Sequence, residues 1–288
     1  MHLLIIGKNG QVGYELVEAC KIKKLQFDAL GRDNLDLTEL NEVKAYFKKN
    51  HNYDFVINAA AYTNVDQAED EPKKADLINH QAVRVIAEMC EKYNMPLLHI
   101  STDYVFDGGS LTLYEESDKP NPKSLYGLSK LAGEKAVTKI LKKHIILRVS
   151  WVFGRHGYNF VKTIARLIRT KDALSVVSDQ YGCPTAARDI ARVILEIVTF
   201  KKAHQWGIYH YAGFPLTTWH QLAIGVLPYV KDRKVSVIRA IETKDYPVKA
   251  HRPHNSGLSV GKIIQAYDVQ QHAWSDYLQE TIEALDKK

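Results

Sequence analysis

The sequence predicts an α/β fold in which a doubly wound parallel sheet is followed by a smaller C-terminal domain. Two observations predict this fold. Short apolar segments alternate with longer segments of helical periodicity through about the first 150 residues. Each intervening helix is long enough to carry the chain back to the same end of the sheet, so consecutive strands should run parallel with right-handed crossovers.

The elements of the first half follow one another in strict alternation. The apolar segments predict strands at residues 2–6, 25–30, 55–58, 97–101 and 144–149. The helical segments between them lie at residues 12–21, 38–50, 75–93 and 124–141. This order is typical of successive βαβ units.

After Ser150 the alternation becomes less regular. Helices are predicted at residues 159–170, 187–200 and 276–285, a strand at 174–177, and short mixed elements at 206–211, 218–226 and 235–238. We therefore expect one domain at residues 1–150, joined by late elements near 172–200, and a second domain formed mainly by residues 151–288.

Composition excludes several classes of protein. Of 288 residues, 45% are hydrophobic and 25% charged, which is ordinary for a chain with a buried core and argues against disorder. The longest apolar run near the start, residues 3–6, is too short for a signal peptide or a membrane span. Cys20, Cys90 and Cys183 form no CxxC pair, so we expect reduced thiols in a cytoplasmic protein.

The chain is basic, with a net charge of +6 and a pI near 9.0. Lysine and arginine are spread along the sequence rather than gathered in one stretch, which predicts a solvated basic surface. Neither nucleic acid nor a membrane is expected as a partner. A mild positive field favours anionic small molecules.

Three glycines mark the turn after the first strand. Gly7, Gly10 and Gly13 in GKNGQVG give the spacing GxxGxxG between a strand and a helix. Glycine allows a tight turn, a close approach by a pyrophosphate and close packing of helix on strand, while the N-terminus of the helix attracts the phosphates. The first domain is therefore predicted to be Rossmann-like and to bind a dinucleotide.

The second strand should end on the residue that recognises the adenosine ribose. Arg32 lies there, and its cation can pair with a 2′-phosphate, which favours NADPH. The neighbouring Asp33 keeps NADH as an alternative. Asp36 and Leu37 follow at the expected place for the adenine pocket, and the small side chains of NAAA at residues 58–61 suit a backbone that lies against a flat ring.

A tyrosine and a lysine four residues apart indicate acid–base chemistry. Tyr126 and Lys130 fall on one face of a predicted helix. A nearby cation stabilises phenolate and lowers the phenol's pKa from its usual value of about 10, so that tyrosine can protonate a carbonyl oxygen. Thr102, at the end of the preceding strand, could polarise the same carbonyl.

With these motifs the chain resembles the extended short-chain dehydrogenase/reductase family, and within it the reductases of nucleotide-linked 4-keto sugars. The resemblance is collinear over nearly the whole chain. It rests on GKNGQVG (7–13), NAAAYTNVDQAE (58–69), STDYVFDG (101–108), ESDKPNPKSLYGLSKLAGE (116–134), RVSWVFG (148–154), DQYGCPT (179–185) and RPHNSGLS (252–259).

The resemblance implies hydride transfer from NADPH or NADH to C4 of a dTDP-4-keto-6-deoxy-L-hexose, with residues 151–288 mainly binding this substrate. It implies Thr102, Tyr126 and Lys130 as catalytic residues, with Lys130 also holding the ribose. Cofactor contacts are implied for Gly10, Gln11, Val12, Asp36, Leu37, Ala61, Tyr62, Thr63, Tyr126 and Lys130, beside the glycine-turn residues Gly7 and Gly13 and the ribose-reading Arg32. Substrate contacts are implied for Thr102, Asp103 and Trp151, and for Arg252 and Asn255, where a packing role is an alternative.

Some relatives form a homodimer through Mg²⁺ held by glutamates. This chain has Glu15 and Glu283, but Arg188 stands where a further carboxylate is expected, and a cation there repels metal. The sequence therefore does not favour a magnesium bridge, and it leaves monomer and homodimer as alternatives. His251 and His254 flank Arg252-Pro253 without forming a metal motif.

Besides another nucleotide-sugar 4-ketoreductase, since no motif reports the configuration at C4 of the sugar, two other functions stay open on the sequence alone. A dehydratase or epimerase of the same family would recycle its bound cofactor. Family dehydratases commonly place Asp-Glu after the threonine, whereas Asp103 is followed here by Tyr104. A non-catalytic NADP-binding regulatory subunit is the second alternative, against which the intact Thr102, Tyr126 and Lys130 argue.

Overall fold

The computed structural model describes residues 1–286 of the chain. Its strands are β1 His2–Ile6, β2 Gln26–Leu30, β3 Phe55–Asn58, β4 Leu97–Thr102, β5 His144–Val149, β6 Val152–Phe153, β7 Ala173–Val177, β8 Tyr181–Gly182, β9 Thr185–Ala186, β10 Gly207–Tyr211, β11 Thr217–Thr218 and β12 Val237–Ile241. Its α-helices are α1 Gln11–Ile22, α2 Leu40–Lys49, α3 Val65–Asp70, α4 Pro72–Asp76, α5 Ala82–Lys92, α6 Leu125–Ile140, α7 Phe160–Thr170, α8 Ala187–Val198, α9 Trp219–Val226, α10 Gly261–Tyr267 and α11 Leu278–Asp286.

The predicted parallel sheet is confirmed. Six strands pair in the order β10-β5-β4-β3-β1-β2, and every pair is parallel. The chain moves outward from β1 to β2 and then returns to the other side of β1 with β3. Strand order therefore reverses between β1 and β3, and the crevice beyond their carboxyl ends is where open α/β sheets bind ligands.

Two hydrophobic cores cover the two faces of this sheet. Alternate residues of β1 point to opposite faces, so Leu3 and Ile5 belong to one core and Leu4 and Ile6 to the other. Helices α1 and α8 pack together over the first core. Helices α2, α5 and α6 cover the second. The sheet ends are thereby held rigidly beside the crevice.

The helix predicted at residues 75–93 begins earlier and is not regular. It starts as α4 at Pro72, passes through a π-helical turn at Leu77–Gln81 and continues as α5. This turn contains Asn79, whose buried side chain bonds to the backbone of Tyr62. Such π turns accompany functional sites more often than regular helix does.

The domain division at residue 150 stays a prediction. Some of the elements after it pack with the first domain, and others do not. Strand β7 pairs with β12 outside the six-stranded sheet, whereas α8 packs on α1 and β10 extends the main sheet beside β5. Alternate residues of β7 are exposed, so only one of its faces is covered by helices. Helices α7, α9 and α11 form a third core around it.

None of the helices in residues 1–286 combines the length and the apolar character that crossing a bilayer requires.

Candidate active site

A cleft of about 850 Å³ opens beyond the carboxyl ends of the central strands. Most of the predicted site residues line it together, although they come from segments far apart in sequence. These are Gly7, Gly10, Gln11, Val12, Arg32, Asp36, Leu37, Ala61, Tyr62, Thr63, Thr102, Asp103, Tyr126, Lys130 and Trp151. Gly13, Arg252 and Asn255 are not part of the lining.

The glycine turn forms the floor of the cleft. Gly7 has φ of +95°, and a Cβ there would lie 2.6 Å from the backbone nitrogen of Ala60. A Cβ on Gly13 would lie 2.0 Å from the carbonyl oxygen of Gly7, so Gly13 packs α1 against the turn rather than facing the cleft. Helix α1 begins at Gln11, and the N–H groups of its first turn have no acceptor within the helix. This end of α1 is thereby suited to bind phosphate.

Charged groups flank the next part of the cleft. Arg32 is largely exposed and donates from Nε to Asp36 Oδ2 at 3.0 Å. The Thr38 backbone N–H, and then its hydroxyl and Arg32, hold the pKa of Asp36 below its usual value. Lys8 adds a second cation that sequence reasoning missed, with its Nζ 2.5 Å from Asn34 Oδ1. Both cations lie where the second strand ends.

The small residues that follow β3, at 59–61, form one wall of the cleft. The π-helical turn holds the end of this wall through hydrogen bonds to Tyr62. Tyr62 donates its backbone N–H to Asn79 Oδ1 at 2.8 Å and accepts from Asn79 Nδ2 at 3.0 Å. Asn79 Nδ2 also donates to Ser129 Oγ on α6. The wall and the helix that carries Tyr126 therefore hold fixed positions relative to each other.

Tyr126 and Lys130 enter the cleft from the first two turns of α6. Ser124 caps this helix by accepting the Gly127 N–H at 3.1 Å. A Cβ on Gly127 would lie 2.2 Å from the carbonyl oxygen of Tyr104, so the helix packs directly on the segment that follows β4. This close packing brings the phenol beside Thr102.

The Tyr126 phenol is buried in the cleft. Burial raises the pKa of Tyr126, and its hydrogen bond with Thr102 acts in the opposite direction. The ring of Tyr104 packs edge-on against it at a centroid distance of 5.8 Å. In the protein alone the phenol is thus held in its protonated form, and tuning of this group by Lys130 stays a prediction.

Lys130 is the most enclosed of the three predicted catalytic residues, with 1% of its surface exposed. Its Nζ donates to the carbonyl oxygen of Ile100 at 2.8 Å and lies 3.3 Å from Nε2 of His99. Burial lowers the pKa of Lys130 to about 8, against the opposing effect of Glu134. His99 was not predicted, because a buried histidine inside a strand usually has only a packing role.

Asp103 faces protein hydroxyl groups. Its Oδ1 accepts from Thr102 Oγ1 at 3.0 Å and its Oδ2 from Ser150 Oγ at 2.9 Å. Burial raises the pKa of Asp103 to about 6, although hydrogen bonds from Ser256, Ser150 and Thr102 oppose this. Contact between Asp103 and a substrate stays a prediction.

Two stacked indoles also line the cleft. Trp151 has φ of +44° and lies parallel to Trp219, with centroids 3.4 Å apart. Gly182 makes room for it, because a Cβ there would lie 2.2 Å from the Trp151 ring. Trp219, the first residue of α9, was missed because nothing in the sequence links it to Trp151.

Arg252 and Asn255 bond to other parts of the protein. Arg252 donates to Asp66 of α3 at 2.6 Å. Asn255 Nδ2 donates to the carbonyl oxygens of Ser110 and Thr112, both at 3.0 Å, and its Oδ1 accepts the Gly257 N–H. These bonds give both residues a packing role, and their contact with substrate stays a prediction.

Of the two glutamates considered for a metal bridge, Glu15 is paired with an arginine and Glu283 with a glutamine. Arg155 holds the buried Glu15 through two bonds of 2.8 and 2.9 Å, whereas Glu283 accepts from Gln279 Nε2 at 2.8 Å and Arg188 pairs with Glu280. Within residues 1–286 no group of three or more His, Cys, Asp or Glu side chains is arranged to hold a metal ion. His251 and His254 belong to no such group.

Comparison with known proteins finds relatives named dTDP-4-dehydrorhamnose reductase both by sequence and by structure. The model of the RmlD substrate binding domain matches residues 1–287. A dTDP-4-dehydrorhamnose reductase of Aggregatibacter actinomycetemcomitans is 41% identical over 284 residues, which cover 94% of this chain and 95% of that protein.

Solved structures agree with these sequence matches. A dTDP-4-dehydrorhamnose reductase of Clostridium acetobutylicum superposes with a TM-score of 0.92 at 33% identity, covering 99% of this chain and all of the other. The enzyme of the same name from Bacillus anthracis, solved in complex with NADP, gives 0.91 at 31% identity, covering 100% of this chain and 99% of the other. The protein therefore belongs to the RmlD family, the family of the dTDP-4-dehydrorhamnose reductases.

Proposed function

We propose that this protein reduces the C4 keto group of dTDP-4-dehydro-6-deoxy-L-mannose to give dTDP-L-rhamnose, with NADPH as the reductant. One observation carries the proposal: Thr102, Tyr126 and Lys130 line the same cleft as the glycine turn. Relatives of 36–41% identity that bear the reductase name support the choice of substrate.

The residues present fit a nicotinamide dinucleotide. Gly7 lies so close to Ala60 that no side chain fits there, and the absence of side chains on the glycines of the turn lets a pyrophosphate approach its backbone. The exposed cation of Arg32 in the cleft, with the half-buried cation of Lys8 beside the end of β2, suits a 2′-phosphate and favours NADPH over NADH. The NADP complex of the Bacillus anthracis relative supports the same preference.

When bound, the dihydronicotinamide supplies the hydride that reduces the C4 carbonyl carbon. Tyr126 donates its phenolic proton to the carbonyl oxygen, so that ketone, hydride and proton together give the alcohol. Burial keeps this phenol protonated, as an acid requires. Thr102 lies beside it and orients the carbonyl, while Lys130 steadies the phenolate that proton donation leaves behind.

The nucleotide-sugar is proposed to lie between the sheet and the stacked indoles. Trp151 and Trp219 offer an aromatic surface within the lining of the same cleft. The net charge of +6 favours a substrate that carries a diphosphate.

We propose a cytoplasmic location and a monomer or homodimer for the protein. All three cysteines are buried and unpaired, as expected for thiols kept in a reducing compartment.

An isotope experiment tests the reduction. The protein is mixed with dTDP-4-dehydro-6-deoxy-L-mannose and NADPH that is dideuterated at C4 of the nicotinamide, and the product is identified by NMR. We expect dTDP-L-rhamnose with one deuterium at C4 of the sugar and one NADPH consumed for each product. A product with the other configuration at C4 would correct the sugar while leaving the reduction intact.

Three results would contradict the proposal. A product formed without net NADPH oxidation would indicate an epimerase or dehydratase. NADPH binding without turnover would indicate a regulatory subunit. Deuterium found in water rather than at C4 would exclude direct hydride transfer.

A further inference from the structure

A chain of buried polar groups leads from the wall of the cleft to Lys130. Asn58 Oδ1 accepts the Ala60 N–H at 3.1 Å, and Asn58 Nδ2 lies 3.1 Å from His99 Nδ1. The other ring nitrogen, His99 Nε2, lies 3.3 Å from Lys130 Nζ. Asn58 and His99 are both fully buried. Each of these groups must therefore find its partner within the protein.

The first bond of the chain fixes the orientation of the Asn58 amide. The Ala60 N–H is a donor and needs the amide oxygen, so the amide nitrogen points to His99. An amide nitrogen only donates. His99 Nδ1 must consequently be the acceptor and carry no proton.

The tautomer of His99 follows from this. A neutral imidazole whose Nδ1 accepts carries its proton on Nε2. Burial and the neighbouring Lys130 hold the pKa of His99 well below its usual value, so the ring is neutral. His99 therefore presents an N–H to Lys130 Nζ.

An ammonium group has three donors and no acceptor, whereas a neutral amine has a lone pair. The Nε2–H of His99 can be satisfied only by the neutral amine of Lys130. The same amine can donate to the carbonyl oxygen of Ile100, which lies 2.8 Å away. With a neutral Lys130, the polar groups of Asn58, His99 and Lys130 in this series all have hydrogen-bond partners.

We propose that His99, oriented by Asn58, is a positioning residue that donates Nε2–H to Lys130 and holds its amine in the neutral, hydrogen-bond-accepting form. Protonation of Lys130 breaks this bond, so the Asn58–His99 pair sets how readily the lysine becomes a cation. The significance for catalysis rests on the proposed function, in which Lys130 steadies the Tyr126 phenolate. The hydrogen-bond arrangement itself does not depend on it.

The other charged groups around Lys130 are few. Glu134, one turn further along α6, raises the pKa of Lys130 but is itself held by Arg148 of β5 through bonds of 2.9 and 2.7 Å. Tyr126 lies one turn earlier on the same helix. From β3 and β4 the neighbours are Asn58 and His99. Burial is the largest influence and lowers the pKa of Lys130 to about 8.

The first test reads the tautomer directly. Nitrogen-15 NMR of the histidine rings in the full-length protein, recorded without substrate and above the pKa of Lys130, identifies which nitrogen of His99 is protonated. We expect the proton on Nε2. A proton on Nδ1 would overturn the proposal, whatever the protein catalyses.

The second test uses Asn58→Asp to reverse the donor and acceptor roles of His99 in this series of hydrogen bonds. A carboxylate accepts from both the Ala60 N–H and His99 Nδ1–H, which leaves Nε2 free to accept from an ammonium. We expect the His99 proton to move to Nδ1 and the pKa of Lys130 to rise by about one unit or more. The lysine is followed by ¹³Cε chemical shift, and its signal is assigned by its loss in Lys130→Met. An unchanged tautomer would contradict the proposal.

The third test keeps the proposal falsifiable if the buried carboxylate prevents folding. In His99→Gln the amide oxygen can turn to an ammonium, so the pKa of Lys130 should rise. His144→Gln is the matched control, because His144 is also buried and its Nδ1 bonds only to the Leu141 carbonyl oxygen. We expect no shift of Lys130 in the control. No shift in His99→Gln would also overturn the proposal.

Activity measurements then separate this proposal from the proposed function. If the wild-type protein reduces the keto sugar, the basic limb of its kcat profile should move to higher pH in His99→Gln and stay in place in His144→Gln. A protein without reductase activity would still show the predicted tautomer and titration. An unmoved basic limb beside a shifted Lys130 would overturn the role of this pair in catalysis.

Discussion

The two sides of the cleft are built differently. On the sheet side, the glycine turn, Thr102 and Tyr126 follow strand ends or helix starts in chain order, and each lies in a short motif. On the other side, Trp151, which follows β5, meets Trp219 of α9, which is distant from it in sequence. The first side is determined by local pattern and sheet topology. The second depends on long-range packing.

This difference explains why chemistry and substrate recognition are expected to respond differently to mutation. Parallel strands place their carboxyl ends at one edge of the sheet, so residues at these ends are brought together by topology alone. The three two-stranded sheets beyond residue 150 have no such common edge. Their side chains reach the cleft only when loops and helices pack correctly.

The largest effect is expected at the glycine turn. In Gly13→Ala the new methyl group would lie 2.0 Å from the Gly7 carbonyl oxygen, so α1 must move away from the turn. We expect NADPH binding, measured by calorimetry, to weaken by more than about a hundredfold. Gly109→Ala is the control, since its nearest atom would be Asp107 Oδ1 at 3.5 Å. Equal affinities in the two variants would contradict the close packing.

Asn255→Ala tests whether Asn255 has a packing role or contacts the substrate. Removing the amide leaves the carbonyl oxygens of Ser110 and Thr112 and the Gly257 N–H without their partner. We expect the free energy of unfolding, from denaturant titration, to fall by about 1–3 kcal/mol, with little change in KM. An unchanged stability with a tenfold higher KM for the nucleotide-sugar would instead assign Asn255 to substrate.

Arg32→Gln tests whether Arg32, at the end of β2, recognises the 2′-phosphate of NADPH. Loss of the guanidinium should raise KM for NADPH by about tenfold and leave KM for NADH unchanged, because only NADPH carries the 2′-phosphate. Arg233→Gln, an exposed arginine in a loop between α9 and β12, serves as the matched variant. A similar rise for both cofactors would show that Arg32 does not read the phosphate.

The smallest effect is expected from the indole pair. In Trp219→Ala the stacking on Trp151 is lost, which should raise KM for the nucleotide-sugar by about two- to tenfold. Trp219→Phe keeps part of the ring and should lie between the variant and the wild type. NADPH affinity should stay the same in both. A weaker affinity for NADPH would mean that the indoles support the cofactor side as well.

The same contrast explains what could be predicted from sequence. The five strands β1 to β5 of the six-stranded sheet follow from the periodicity of the sequence, whereas the edge strand β10 does not. The position of Tyr126 in the cleft follows from a motif that spans only a few residues. The pairing of β7 with β12 could not be predicted, because β7 is a strand of ordinary apolar pattern whose partner lies over 60 residues away. The one signal in the sequence was the alternation of small or polar residues with large apolar ones at the start of β7, where alternate residues are exposed.

The residues that sequence reasoning missed are those whose role depends on a partner. His99 sits inside a buried strand, where histidine carries no motif, and its importance is visible only from its contacts with Asn58 and Lys130. Lys8 lies within the glycine turn and could have been noticed as a cation beside the end of β2. Trp219 gave no signal beyond its place at the start of a helix.

The central claim is that the Tyr126 phenol donates the proton when the keto sugar is reduced. The measurement that tests it most directly is the single-turnover rate of NADPH oxidation by Tyr126→Phe, with Tyr104→Phe as the control because the half-buried Tyr104 ring packs edge-on against that of Tyr126. We expect a loss of about 10²- to 10⁴-fold in Tyr126→Phe with unchanged NADPH affinity, and less than tenfold in Tyr104→Phe. A Tyr126→Phe protein that oxidises NADPH at nearly the wild-type rate would contradict the account.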